Sequence, residues 1–424
     1  MRRINYPFLV LVIFFSVYTA TGYSQKILVS FKLSLSATLE QILAPQSIDL
    51  DKLTQAPDSM IALVEIKDGK KLPIAAQIQK KGKRFLHWMV LSGKEKKAVH
   101  EYAIIEKINA SANQTASPNF IKANGSLSLQ AHGKPLVNYH FATSYPPPGI
   151  DTVFKRSGFI HPLYAPHGQP LTRINAPDHY HHYGLWNPWT HVLYKGKMID
   201  FWNLNGKQGT VRFSKFISVN DGPVFSEYQV LHEHVIFEKD KTETIPMTEV
   251  QTVRVYQPKE KDDFYIMDIT IQLNCATDSA VTLKEYRYGG LGWRATEKWD
   301  NKNSETLTSE GKTRKDADGS KARWVIVQGK IDNDEAGVVM MSHPGNYNYP
   351  EPLRIWPENQ NGRGDVYANF SPTKDMDWYL QPGKDHVLQY RFLIFNGHVN
   401  KEQAENAWQQ YADPKASIIT ITKQ

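Results

Sequence analysis

The chain has 424 residues, 41% hydrophobic and 22% charged, with a formal net charge of +7 that falls to +5 without Arg2 and Arg3. The positive residues are dispersed, apart from short patches at 80–84 and 94–97, and no arginine-rich arm is present. This argues against a nucleic-acid partner and leaves acidic substrates such as uronate-bearing glycans open. The single cysteine, Cys275, excludes an internal disulfide, so stability rests on a core that a chain of this length can build over two or three domains.

Arg2 and Arg3 precede an 11-residue apolar run, Phe8 to Tyr18, broken only by Ser16, and Gly22 and Ser24 form a small-x-small cleavage site. A bilayer-spanning helix needs about 20 apolar residues, so residues 1–24 read as a signal peptide, with no membrane insertion after its cleavage. The protein is therefore expected to be exported, periplasmic or extracellular. In that setting Cys275 is expected to pack as a small apolar residue.

Alternating apolar runs then follow at 26–33, 60–66 and 85–91, separated by Gly-containing turn signals. Period-two alternation predicts strands, and a small Ig-like sandwich is expected over residues 25–118. Residues 109–117 (NASANQTAS) are small and polar with no apolar period, which suits a linker. Strand patterns resume at 125–130, 209–214, 248–256, 264–273 and 336–341 without intervening helical periods. An all-β chain is expected, with a large sandwich over 119–412. One helix is predicted near the end. Asn400 caps it, Gln403 completes a capping box, Ala404, Ala407, Trp408 and Tyr411 share one face, and Pro414 stops it. Residues 413–424 read as a tail.

Polar chemistry concentrates in three stretches. Six of the fifteen histidines lie between His161 and His191. The first stretch contains His161, Tyr164 and His167, then Asp178-His-Tyr-His181-His182-Tyr183, then Trp186, Asn187 and Trp189. On an extended strand His179 and His181 share one face, while Asp178 and His182 share the other. Two imidazoles on one face can hold a metal or act as acid and base, and Asp178 can orient His182. His232 and His234 form another such pair, expected on an exposed strand face.

The second stretch, 285–296, places Arg287 and Arg294 among Tyr, Trp and three glycines, a pattern suited to close backbone approach and bidentate carboxylate binding. The third, 343–365, is dense in amides, aromatics and charges: His343, Asn346, Tyr347, Glu351, Arg354, Trp356, Glu358, Asn359 and Arg363. Flat rings beside amides and charged groups suit sugars.

The stretches SGFIHPLYAPHG, PDHYHHYGLWNPWTH, YRYGGLGWRAT, MSHP and EPLRIWPENQNGRGD resemble the PmoA-like family over roughly residues 120–412. The label "methane oxygenase" attached to that family implies several long membrane helices. The mature chain has no apolar stretch of about 18 residues, so the label is set aside. What the resemblance does imply is a galactose-mutarotase-like β-supersandwich in an exported protein of polysaccharide-degrading bacteria.

The reading that follows is an exported carbohydrate-active enzyme, a lyase or hydrolase acting on an oligosaccharide and requiring no cofactor. As a lyase, Arg294 would neutralise a uronate carboxylate, one of His179, His181 or His182 would remove the C5 proton, and a Tyr or His would protonate the leaving oxygen. As a hydrolase, Glu358 and Asp178 would be the carboxylate pair. Substrate contacts would come from His161, Tyr164, Trp186, Asn187, Trp189, Arg287, His343, Asn346, Tyr347, Arg354, Trp356, Asn359 and Arg363. The alternatives are a non-catalytic glycan-binding protein and an oxidoreductase with a divalent metal on His179 and His181.

Overall fold

The computed structural model describes residues 26–35, 43–91, 99–107, 119–256, 258, 261–412 and 417–422. The expected signal segment and the 109–117 linker lie outside them. The described residues are nearly all β, with one α-helix, Lys401–Ala412.

Two sheets build the N-terminal sandwich. One has five strands, in the order Ser417–Thr422, Ile27–Leu35, Val99–Glu106, Ile61–Lys67 and Lys70–Ile74; the other has Leu43–Asp49, Lys83–Leu91 and Ala76–Lys81. Their inward residues, among them Phe31, Leu33, Trp88, Tyr102 and Ile104, form one core. Residues 417–422 are therefore not a free tail. They pair antiparallel with the Ile27–Leu35 strand, Ser30 opposite Thr422 and Leu35 opposite Ser417. Ile419 packs against the sandwich core, and the pairing satisfies backbone groups that an open sheet edge would expose.

The large sandwich consists of two eight-stranded antiparallel sheets. The first runs Leu353–Ile355, Tyr367–Phe370, Gly292–Arg294, Leu185–Trp186, Phe159–Leu163, Lys134–His140, Ser126–Ala131 and Asn119–Ala123. The second runs Gly209–Asn220, Phe225–Phe237, Glu243–Tyr256, Phe264–Cys275, His386–Asn396, Asp334–Ser342, Trp324–Ile331 and Ser304–Thr308. One continuous core lies between them, and Tyr139 and Tyr228 meet across it at 4.8 Å.

Long strands of the second sheet are covered on their inner face, and this overturns the surface expected for His232 and His234. Both are buried. His232 Nδ1 lies 3.1 Å from Glu249 Oε1, and the Tyr139 hydroxyl lies 2.6 Å from its Nε2; His234 Nε2 is 3.5 Å from Glu249 Oε2. The exposed-face expectation assumed one solvated side, whereas these inner positions sit beneath the opposing sheet. Cys275 is half-buried, and burial raises its thiol pKa.

The helix packs across strands of the second sheet and closes a satellite core. Its capping box is reciprocal: Gln403 N donates to Asn400 Oδ1 and Asn400 N donates to Gln403 Oε1, both at 2.9 Å. Trp408 Nε1 donates to the Ser342 carbonyl at 3.0 Å.

Beside that helix part of the third sequence stretch is consumed by the fold. Glu351 is fully buried and accepts from Asn346 Nδ2 at 2.9 Å, from the Tyr390 hydroxyl at 2.7 Å and from Ser342 Oγ. Burial raises its pKa to about 7 despite these donors. His343 packs on Tyr411 and Tyr347 stacks on Trp378. A carboxyl whose pKa is raised on folding stabilises the native state most below its unfolded value of 4.5, and that contribution disappears as pH rises through about 7. Between pH 4.5 and 8 the wild type is expected to lose on the order of 3 kcal/mol from this group. Denaturant titrations across that range should show a flatter pH dependence for Glu351→Gln; identical profiles would contradict the assignment.

Candidate functional site

The first sheet sets the site. The edge strand Leu353–Ile355, its neighbour Tyr367–Phe370, the strand Gly292–Arg294 and the Leu185–Trp186 pair lie side by side, and the two-stranded ribbon of Ile174–Ala176 and His179–Tyr183 folds beside them. In that ribbon Ile174 faces Tyr183 and Ala176 faces His179, so two steps on one strand match four on the other. The irregularity breaks strict alternation. His181 and His182, consecutive in sequence, therefore turn toward the same place instead of opposite faces. The ring centroids of His179, His181 and His182 lie 4.7–5.3 Å apart, and one ring nitrogen from each falls within 4.8 Å of the others. The expectation that His182 would face away with Asp178 is thus corrected.

Gly184 makes the exit from the ribbon possible. Its φ is +60°, and a Cβ there would lie 2.3 Å from the Ile160 carbonyl oxygen. Its own carbonyl accepts from Arg294 N at 2.8 Å and its N–H donates to the Arg173 carbonyl at 2.9 Å. Gly292 plays a similar part beneath the site, where a Cβ would stand 2.4 Å from the Tyr367 hydroxyl oxygen. Close approach, the role read from the glycine-rich stretch, holds at this position.

Behind the histidines lies a buried ion network. Arg294 is 1% exposed and its guanidinium sits 4.4 Å over the Trp356 ring. It binds Asp178 Oδ2 at 3.0 Å through Nη1, and Asp178 Oδ1 at 3.1 Å and Asp365 Oδ2 at 2.9 Å through Nη2. Asn361 Nδ2 donates to Asp178 at 2.7 Å and to Asp365 at 3.1 Å. Asp178 Oδ2 is also 2.7 Å from His179 Nδ1. Burial works to raise the pKa of Asp178, but the His179 hydrogen bond and the Arg294 charge outweigh it and hold the carboxyl well below its usual range. An ionised carboxylate only accepts, so the hydrogen of this bond sits on His179 Nδ1. Burial pulls His181 down to about 3 and His182 well below its usual value, so both imidazoles are neutral.

In front of them is a cavity of about 330 Å3, lined by His179, His181, His182, Trp202, Asn203, Arg287, Tyr288, Arg354, Trp356, Gln360 and Tyr367. This volume is at the lower end of small-molecule sites, about 300–1,000 Å3. Trp186, Trp202, Trp356 and Tyr367 pack around His182, with ring centroids 5.1–6.4 Å from it. The main chain at Trp202 is held from behind by buried Arg156, whose Nη2 donates to the Phe201 and Trp202 carbonyls at 2.9 and 3.3 Å. Tyr288 donates to Asn203 Oδ1 at 3.0 Å, and Arg354 pairs with Asp318 at 2.8 Å. The lining carries three imidazoles and two guanidinium groups; among the described residues no carboxylate lines it.

All three sequence stretches thus contribute to one hollow, but not through every residue expected. Arg294 does not reach it, because its charge is taken up by Asp178 and Asp365. Glu358 is exposed and lines a different depression, with Asn301 and Arg314. Asp178 is engaged behind His179. The proposed Glu358–Asp178 carboxylate pair therefore does not form across this cavity.

His161 binds Thr172 Oγ1 at 2.9 Å, the Tyr164 carbonyl accepts from Tyr265, and Asn187 donates to buried Glu249 at 2.8 Å. Trp186 is buried behind His182 and Trp189 lies in the main core. Asn359 is exposed outside the lining, and Arg363 bonds the Glu297 and Trp299 carbonyls and pairs with Asp365 at 3.0 Å. His343 packs on Tyr411 of the helix, Asn346 bonds buried Glu351, and Tyr347 stacks on Trp378 against the main core. Conversely, Trp202, Asn203, Tyr288, Gln360, Asn361, Asp365 and Tyr367 were not singled out. The Asp200-Phe-Trp-Asn-Leu-Asn run offered the same aromatic–amide density as the other stretches and could have drawn attention to Trp202 and Asn203.

Removing one partner of a buried ion network leaves the others uncompensated. Arg294→Ala is expected to cost about 3–5 kcal/mol in chemical denaturation. Combining it with Asp365→Asn should recover part of that loss; strictly additive losses would refute the coupling.

No curated protein gives a significant match to the chain. Among solved structures, a putative kojibiose phosphorylase from human microbiome aligns at 9% identity and a TM-score of 0.26, over 70% of this chain and 33% of that one. The chain thus spans about a third of that structure's length, and a likeness this distant carries no argument about activity. The profile of a family of unknown function, DUF6807, matches residues 126–409, which take in every residue of the cavity, and the chain belongs to that family.

Proposed function

We propose that this is an exported carbohydrate-active enzyme whose cavity takes an anionic, uronate-bearing oligosaccharide and cleaves it by β-elimination. The observation that carries this reading is the make-up of the lining: three imidazoles, two guanidinium groups, two phenols, two indoles and two amides, with no carboxylate among the described residues. Glycoside hydrolysis in its usual form needs two carboxyl groups flanking the scissile bond. A uronate carboxylate, in contrast, finds Arg287 and Arg354 at the wall.

Elimination breaks the C5–H bond, moves its electron pair into a C4–C5 double bond and expels the oxygen on C4, which takes a proton as it leaves. The proton from C5 is removed at the imidazole cluster, where Asp178 holds the His179 ring. The Tyr288 phenol lines the same cavity and is the donor for the departing oxygen. Proton transfers by positioned groups contribute about 10²–10⁴-fold each. Arg287, exposed and resting against the Tyr286 and Tyr288 rings at 5.6 and 5.4 Å, recognises the carboxylate without a structural duty to the core.

Incubation with oligouronides should produce an unsaturated product, read by its ultraviolet absorbance. New reducing ends without absorbance would sink elimination in favour of hydrolysis, and binding without any product would make this a glycan-binding protein. Loss of one charge-assisted hydrogen bond is worth about 1.5–3 kcal/mol. Arg287→Ala should accordingly weaken binding of acidic oligosaccharides by roughly 10–100-fold, while leaving thermal stability and affinity for neutral ones unchanged.

A further inference from the structure

We propose that His179, His181 and His182 form a binding site for one divalent transition-metal ion of the zinc type, with an open coordination position facing the cavity. Three features of the geometry support it. One nitrogen from each ring lies within 4.8 Å of the others. Two imidazole nitrogens on a tetrahedral ion, at about 2.0–2.1 Å from it, stand roughly 3.3 Å apart. The trio therefore closes on an ion by side-chain shifts of roughly 1–1.5 Å.

Second, His179 already has the outer partner that metal-binding imidazoles use. Its Nδ1 is bonded to Asp178 at 2.7 Å, and Asp178 is itself fixed by Arg294 and Asn361. Such a carboxylate sets the ring orientation and strengthens the lone pair on the opposite nitrogen. Third, His182 is 3% exposed, and its Nδ1 is buried with no hydrogen-bond partner. Packing among Trp186, Trp356 and Tyr367 accounts for where its ring sits, but not for the convergence of three ring nitrogens. That convergence depends on the irregular pairing opposite Ile174–Ala176, because a regular strand would turn His182 away.

Neutral imidazoles select borderline ions such as Zn2+, Co2+, Ni2+ or Cu2+ over Ca2+ and Mg2+, which take oxygen ligands. Three protein ligands with one open position is the arrangement of catalytic sites, where the ion polarises a substrate oxygen or lowers the pKa of a bound water. This inference rests on the elimination reading for its role. There a bound ion would supply a hydroxide to accept the C5 proton, and the three imidazoles would hold that ion at the cavity.

The test uses the untagged full chain, stripped with chelator and titrated calorimetrically with Zn2+ and, separately, Ca2+. Uptake of one equivalent of Zn2+ and none of Ca2+ is expected. Asp178→Asn should keep the stoichiometry and weaken affinity about 10–100-fold. Both His179→Ala and His182→Ala should abolish uptake. Should His182→Ala fail to fold by circular dichroism, His179→Ala alone decides the matter. His398→Ala, on the exposed surface, should bind as the wild type does. Absence of Zn2+ uptake, or uptake unaltered in His179→Ala, overturns the site. Elimination that persists in chelator-stripped protein overturns the metal's role and leaves the lyase reading standing. Normal Zn2+ uptake without any elimination does the reverse.

Discussion

The buried guanidinium of Arg294 ties together all three regions that surround the cavity. It comes from the strand Gly292–Arg294, reaches Asp178 just before the histidine ribbon, reaches Asp365 beyond the Trp356 loop, and lies flat on Trp356 itself. A charge taken out of water must be matched closely, so the geometry of both carboxylates follows from that of the arginine. Asn361 then bonds both carboxylates from the far side. With Asp178 fixed, the His179 ring that bonds it is held at the cavity wall.

Two His-x-His pairs in this chain meet opposite fates. His232 and His234 lie on the 13-residue strand Phe225–Phe237, covered by the opposing sheet, and they share buried Glu249, which Asn187 and Gln251 also satisfy. That network is closed within the core. His179 and His181 lie on a five-residue strand whose irregular pairing adds His182 to the same side, and their nearest carboxylate is behind them. Identical local spacing thus yields core polar packing in one place and an open cluster in the other. The difference lies in whether an opposing sheet covers the face that carries the imidazoles.

The electrostatic character of the cavity follows from the same division of labour. Acidic groups near it are turned inward onto Arg294 or onto Arg354 through Asp318, so the lining keeps imidazole, guanidinium and phenol groups. The elimination reading and the metal reading draw on that lining in different ways. An anionic sugar uses the arginines at the wall. A cation uses the ring nitrogens of the three histidines, and its remaining position would hold the water that accepts the proton.

Alternating apolar residues were enough to establish an all-β chain, because a period of two buries one sheet face whatever its partner. The Asn400–Gln403 box and the apolar stripe at Ala404, Ala407 and Trp408 marked the one helix, because capping and helical periodicity are local. The clustering of histidines, arginines and aromatics in three stretches also pointed to the regions around the hollow. Which residues within them face it was not legible. Arg294 and Arg287 are chemically alike in sequence, yet one is buried between two carboxylates and the other is exposed. Glu358 sits two residues from Trp356 but lines another depression, because Pro357 and the turn after it lead the chain away from the cavity wall. His182 joined His179 and His181 only through an irregular pairing with a strand that no local pattern specifies. Composition and periodicity are properties of neighbours along the chain, so the sequence by itself determined the strands, the helix and the polar-rich loops. The charge partners and the direction of each side chain depend on residues as much as 183 positions apart, such as Asp178 and Asn361, and only the packed tertiary structure decided them.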